Sequence, residues 1–131
     1  MMIGMEKRNI MVCVTQQKTC ERLIRTGAGL RDQHGGRLFV VHVTPTASRV
    51  LGNESQPEAL DYLYETSKSV DAEMSVILSV NTVETLVNYC RNHHVGTVVM
   101  GESLHPSSEN SIIDELEKMI GELVEIKVVP V

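Results

Sequence analysis

The chain of 131 residues has no tryptophan, one phenylalanine and three tyrosines. Nothing in it supplies the interleaved aromatic platforms on which single-stranded nucleic acid stacks. Basic charge is also short. Twelve Lys and Arg stand against 17 Asp and Glu, a net of −5, which argues against a broad surface for a phosphate backbone. Nucleic acid is therefore not an expected partner. Three cysteines, Cys13, Cys20 and Cys90, form an odd set without CxxC spacing. They read as free buried thiols of a reducing compartment, not as a disulfide framework. No stretch approaches the roughly 18 apolar residues of a membrane span, so no membrane insertion is expected. Residues 1–8 lack the long apolar region of a secretory signal. They read as a short disordered leader of a cytoplasmic protein.

What is present is ordinary for a folded domain. An apolar fraction of 42% and a charged fraction of 22% match soluble globular proteins, and the length suits one domain with a sizeable core. The core must be built from Ile, Val, Leu and Met. The chain is organised around residues 8–30. Residues 9–14 are an apolar, β-branched run the length of one buried strand. A polar turn at 15–19 follows. Cys20, Leu23, Ile24, Gly27 and Leu30 then recur with helical spacing and make one apolar face.

The rest of the chain repeats this alternation. Residues 32–36, with two glycines, stop the first helix with a left-handed C-cap. Residues 37–43 predict a second buried strand, and 47–56 a mobile connection. Pro57 and Glu58 open a second helix whose inner face is Leu60, Leu63, Tyr64 and Ser67. Residues 73–80 predict a third strand, partly alternating and so suited to a sheet edge. Asn81 caps a third helix with Val83, Leu86, Val87 and Cys90 on one side. Residues 93–96 close that helix, and 97–100 form a short apolar strand. Ser111, with Asp114 three residues on, predicts the N-cap of a fourth helix carrying Ile112, Ile113, Leu116, Met119 and Ile120 inward. Gly121 ends it, and 124–131 form a last, alternating edge strand. The expected fold is α/β: one domain over residues 9–131, a five-stranded, mostly parallel sheet with helices on both faces. The last strand, an open edge, predicts a homodimer paired through 124–131, with a solvated edge as the alternative.

Catalysis has no positive sign here. There is no GxSxG, no HExxH, no phosphate-loop lysine motif and no pair of acids at strand ends. His93 and His94 suit a helix C-terminus better than a metal site. His42, near the carboxyl end of a buried strand, reads either as a satisfied core histidine or as a pocket-lining residue. Two loops that follow strands and lead into helix N-termini remain, 14–19 and 101–111. Free backbone N–H groups there favour anions, phosphate especially. The second loop holds Gly101, Ser103, Ser107, Ser108, Asn110 and Ser111, small residues with hydroxyl donors. It reads either as a phosphate cradle or as a plain polar loop with a capping serine.

Several of these stretches resemble the universal stress protein family: the opening strand at 10–14, the strand at 38–43, residues 95–101 and the closing strand at 124–129. The resemblance implies the Rossmann-like five-stranded fold, dimerisation through the last strand and, in many members, ATP held between the first and fourth strands. Residues 20–25 and 111–116 are similar to helix starts in the universal-stress domain of the potassium-sensor kinase KdpD. That resemblance implies a sensor kinase or other signalling protein as partner, and cyclic di-AMP as a second candidate ligand. In the cyclic di-AMP pattern, Thr15 and Gln17 stand at the paired serines and His42 lies in the matching strand. ATP-binding members carry an acid after the first strand, where this chain has Thr15. They also carry a second loop glycine, where it has Leu104.

The sequence thus points to a non-catalytic regulatory module sensing an adenine nucleotide, ATP or cyclic di-AMP, in stress or potassium-homeostasis signalling. The predicted contacts are Cys13, Thr15, Gln17, Val41, His42, Met100, Gly101, Ser103, Asn110 and Ser111. The alternatives are a nucleotide-free dimeric interaction module and, further off, a weak ATPase.

Overall fold

The computed structural model describes residues 9–15, 17–45, 56–101 and 108–130, with the backbone alone at 17–19, 56, 57 and 108–111. Nine elements alternate along the chain: β1 (Asn9–Cys13), α1 (Gln17–His34), β2 (Leu38–Thr44), α2 (Gln56–Ser69), β3 (Glu73–Leu78), α3 (Thr82–Asn92), β4 (Val95–Gly101), α4 (Ser108–Ile120) and β5 (Glu125–Val129). The strands form one sheet in the order β3-β2-β1-β4-β5, with every neighbouring pair parallel.

The apolar runs explain the order. A strand buried on both faces must be apolar at successive positions, and β1 is such a strand at the centre of the sheet. Ile10, Val12 and Val14 face one layer of core with Cys20, Leu23 and Ile24 of α1 and Ala59 and Leu63 of α2. Met11 and Cys13 face the other layer with Leu86, Val87 and Cys90 of α3 and Leu116 and Ile120 of α4. The two edge strands are the ones whose residues are half-buried or exposed, β3 and β5, in keeping with their alternating sequences.

Local signals set the element ends. Gly35 takes the left-handed conformation at φ 82° and its N–H donates to the Arg31 carbonyl at 2.7 Å, closing α1. Asn81 caps α3, its side chain accepting from the Glu84 N–H at 3.2 Å. At the amino edge Asn9 binds three ways. Its amide donates to the His93 carbonyl at 2.6 Å, its side-chain oxygen accepts from the Arg37 N–H at 2.9 Å, and its own N–H reaches the His94 carbonyl at 3.4 Å. One side chain therefore ties β1 to the start of β2 and to the turn that enters β4.

Four expectations are corrected. The fourth strand starts at Val95, fully buried and paired with Asn9, not at residue 97. His94, at φ 52°, makes the left-handed turn, so no glycine is needed to reverse the chain. The inner face of α2 is Ala59, Leu63 and Ser67, with Leu60 partly buried against the same layer, while Tyr64 is 50% exposed with the Lys68 ammonium 5.8 Å from its ring centre. Met119 of α4 is likewise exposed. The fourth helix begins at Ser108, so Ser111 lies inside its first turn and is not its N-cap. The expected leader at 1–8 and most of the expected connection, residues 46–55, lie outside the described residues.

Gly27 marks the closest approach of α1 to the sheet. A Cβ there would lie 2.4 Å from Val12 Cγ2 and 3.1 Å from Leu38 Cδ1. In a solvated helix Gly→Ala stabilises by about 1 kcal/mol. Here the methyl must displace a β-branched side chain of the central strand, an overpacking cost of about 1–3 kcal/mol. Gly27→Ala should therefore lower the unfolding free energy in urea, whereas Gly29→Ala, with open space around its Cβ, should not.

Candidate functional site

In a parallel sheet every strand delivers its following loop to the same edge. The chain runs from β1 outward to β2 and β3 on one side, then returns to β4 and β5 on the other. The strand order therefore reverses between β1 and β4, and the loops that leave their carboxyl ends diverge there. A crevice is the geometric result, and it is where open α/β sheets bind ligands.

The crevice is present. Cys13, Val14 and Thr15 from the end of β1 and Met100 and Gly101 from the end of β4 form its floor. Val41 and Val43 of β2, Thr82 and Leu86 of α3, and Ile112 and Ile113 of α4 form its walls. Its empty space is about 460 Å³, with open solvent at the mouth included. Its enclosed part is much smaller than an ordinary ligand pocket, a slot between aliphatic side chains. Apolar side chains line the slot, and its mouth is open to solvent. Helices α1, α3 and α4 all begin at this edge, so their dipoles favour negative charge there.

Of the residues expected at the site, Cys13, Thr15, Val41, Met100 and Gly101 are brought together on this crevice. His42 is not among its lining residues. It follows Val41 on a buried strand and so points to the opposite face. It is 4% exposed and pairs in register with Val76, which packs in the α1 and α2 layer. There its Nδ1 lies 2.7 Å from the Val14 carbonyl oxygen. Of the two sequence readings of His42, the core histidine with a hydrogen-bond partner fits this position. Gln17, Asn110 and Ser111 lie in the first turns of α1 and α4, their side chains outside the described residues, as is the whole of Ser103. Val43, Thr82, Leu86, Ile112 and Ile113 were not foreseen. Val43 was legible two residues beyond Val41 on the same strand face. Thr82 and Leu86 arrive only because α3 packs beside the end of β2.

Burial sets the chemistry of the titratable groups. The Cys13 thiol is pushed far above its ordinary value by desolvation, with the neighbouring Cys90 adding to it. Cys20 is pushed up to about 11, again mainly by burial. Both are neutral thiols near pH 7, poor nucleophiles and poor metal ligands. Among the described residues no group of three His, Cys, Asp or Glu side chains could hold a metal ion.

His42 is held below its ordinary 6.5 by burial, partly opposed by its bond to Val14. The unfolded chain therefore takes up a proton first as pH falls. Stability should be full above about pH 6.5 and fall below it by at most about 1.4 kcal/mol per pH unit, until the folded imidazole also charges. Urea unfolding at pH 7.5 and 5.5 should show a smaller acid loss for His42→Asn than for the parent.

A doubly wound, all-parallel α/β sheet with an anion-favouring crevice at its switch point defines the Rossmann-like class. Within that class the chain belongs to the universal stress protein family, whose family model matches residues 7–108. Solved structures agree in fold. A universal stress protein from Archaeoglobus fulgidus superposes with a TM-score of 0.64 at 18% identity, over 97% of this chain and 95% of that one. A universal stress protein in complex with cAMP gives 0.64 at 12% identity, over 95% and 96%. A complex of the Archaeoglobus fulgidus protein with dAMP gives 0.62 at 16% identity, over 93% and 95%. Comparison with curated proteins returns no match. Among the described residues no helix is long and apolar enough to cross a membrane.

Proposed function

We propose that the chain is a non-catalytic regulatory module that binds an adenine nucleotide in the crevice between β1 and β4. The observation that carries this reading is the crevice itself: an aliphatic slot at the switch point, opening between helix N-termini. The base enters the slot beside Val41, Met100 and Leu86 and meets the backbone at the strand ends. The phosphates lie toward the first turns of α1 and α4, the latter carrying Asn110 and Ser111, with Ser103 on the loop before it. Two proteins of the same fold are known in complex with cAMP and dAMP, which supports an adenine ligand. ATP and cyclic di-AMP are the ligands we favour, in stress or potassium-homeostasis signalling. The module acts either alone or beside a sensor kinase of the KdpD type. Thr15, where nucleotide-binding relatives carry an acid, offers a neutral hydroxyl to the ligand.

The test is calorimetric titration of the folded protein with ATP, cyclic AMP and cyclic di-AMP in turn. Micromolar binding of at least one is expected. Thr82→Trp, which sets an indole across the mouth from a helix end, should weaken it at least about tenfold, the worth of roughly 1.4 kcal/mol. No heat with any of the three, on protein with native circular dichroism, would overturn the reading.

The second reading is a nucleotide-free dimeric interaction module. It is favoured by β5, which pairs with β4 on one side and is the edge of the sheet among the described residues, where Val128 is 42% exposed, with Leu123 63% exposed just before the strand. Such an edge is a template for pairing with a second copy. If β5 is the interface, Val128→Glu should halve the mass seen by light scattering, and an unchanged dimer mass would exclude that interface.

A further inference from the structure

The backbone ladder between β1 and β2 runs from Ile10 and Leu38 to Cys13 and Val41 and stops there. Val14, the next residue, is nevertheless held at both of its peptide groups by β2. Its N–H donates to the Val41 carbonyl at 3.0 Å. Its carbonyl oxygen lies 2.7 Å from His42 Nδ1. A carbonyl only accepts, so Nδ1 must carry the hydrogen, and the imidazole is fixed in that tautomer. A side chain thus takes over where the ladder ends. Val14 and its neighbours Cys13 and Thr15 all line the crevice, whereas His42 lies behind the sheet on the other layer.

We propose that His42 is a positioning residue for the nucleotide crevice: acting from the opposite face of the sheet, its Nδ1–H holds the Val14 carbonyl and so fixes the exit of β1 against which the adenine packs. The inference rests on the reading of the crevice as a nucleotide site, but its structural half can be measured without any ligand. Loss of that hydrogen bond loosens the Val14–Thr15 peptide group at the exit. A ligand would then have to order it on binding, which lowers affinity. Desolvation keeps the imidazole neutral, so the clamp does not bring a charge beneath the site.

Three substitutions separate this role from mere core filling. Asparagine places an amide N–H where Nδ1 stands. Glutamine places it one bond further out, near the position of Nε2. Leucine fills space without a donor. His42→Leu and His42→Gln should each speed hydrogen exchange of the Val14 amide about tenfold or more, the scale of one buried hydrogen bond, and His42→Asn should restore protection to within about threefold. Affinity for ATP, cyclic AMP or cyclic di-AMP, whichever binds the parent most tightly, should follow the same order. If His42→Leu fails to fold, the Asn and Gln pair carries the comparison alone. Equal Val14 protection in the Asn and Gln proteins, or altered protection with unaltered affinity, overturns the proposal. If none of the three nucleotides binds the parent, the functional reading fails, and the proposed positioning role fails with it even where the exchange pattern shows the clamp itself to be real.

Discussion

The structure depends on one strand. β1 is buried on both faces and flanked on both sides, so each side chain from Ile10 to Cys13 is committed to a layer of core. A strand in that position has no solvent-facing residue with which to correct an error of register. A slip of one residue would exchange Met11 and Cys13 for Ile10, Val12 and Val14 between layers of different shape. Gly27 and Asn9 reinforce the constraint at opposite ends. One admits α1 to within contact of Val12, and the other ties the strand's start to two neighbouring segments at once. The crevice inherits its geometry from this strand, because the exit of β1 forms half of its floor.

Much of the fold was written in periodicity. Runs of successive apolar residues marked β1 and β2 as doubly buried, and partial alternation marked β3 and β5 as edges. The failures have physical causes. Tyr64 looked like part of one stripe with Leu60 and Leu63, but Ala59 and Ser67 are the residues buried against the sheet, and the tyrosine ring lies out toward Lys68. The start of β4 was missed because the left-handed turn is taken by His94, a residue type that pays more steric cost than glycine and gives no compositional signal. Ser111 carried a capping-box pattern, yet the helix already begins at Ser108, so that pattern falls inside its first turn.

The site was legible where it is made of strand ends and not where it is made of packing. Cys13, Thr15, Val41, Met100 and Gly101 follow from knowing which strands exist and which edge is the carboxyl one. Thr82, Leu86, Ile112 and Ile113 follow from how two helices lean over that edge, which no local pattern encodes. His42 shows the limit most clearly. A polar residue near a strand's carboxyl end is compatible with either face, and only the pleat decides. Alternation with Val41 sends it behind the crevice, where its chemistry is spent on a backbone carbonyl.

The place of β1 in the sheet also bears on how the chain is made. Of the five strands the first in chain order is the innermost one, and its contact with β4 joins Asn9 to Val95, far along the chain. Until that distant segment is synthesised, β1 lacks one of its two neighbours, and one flank of a strand buried on both faces stays open. The nascent chain therefore passes through a half-sheet whose bare edge is the future centre of the molecule. Such an intermediate invites pairing with another unfinished copy. A circular permutation that opened the chain between β2 and β3 would bring β4 and β5 out ahead of β1 and shorten that exposure, with the same finished fold.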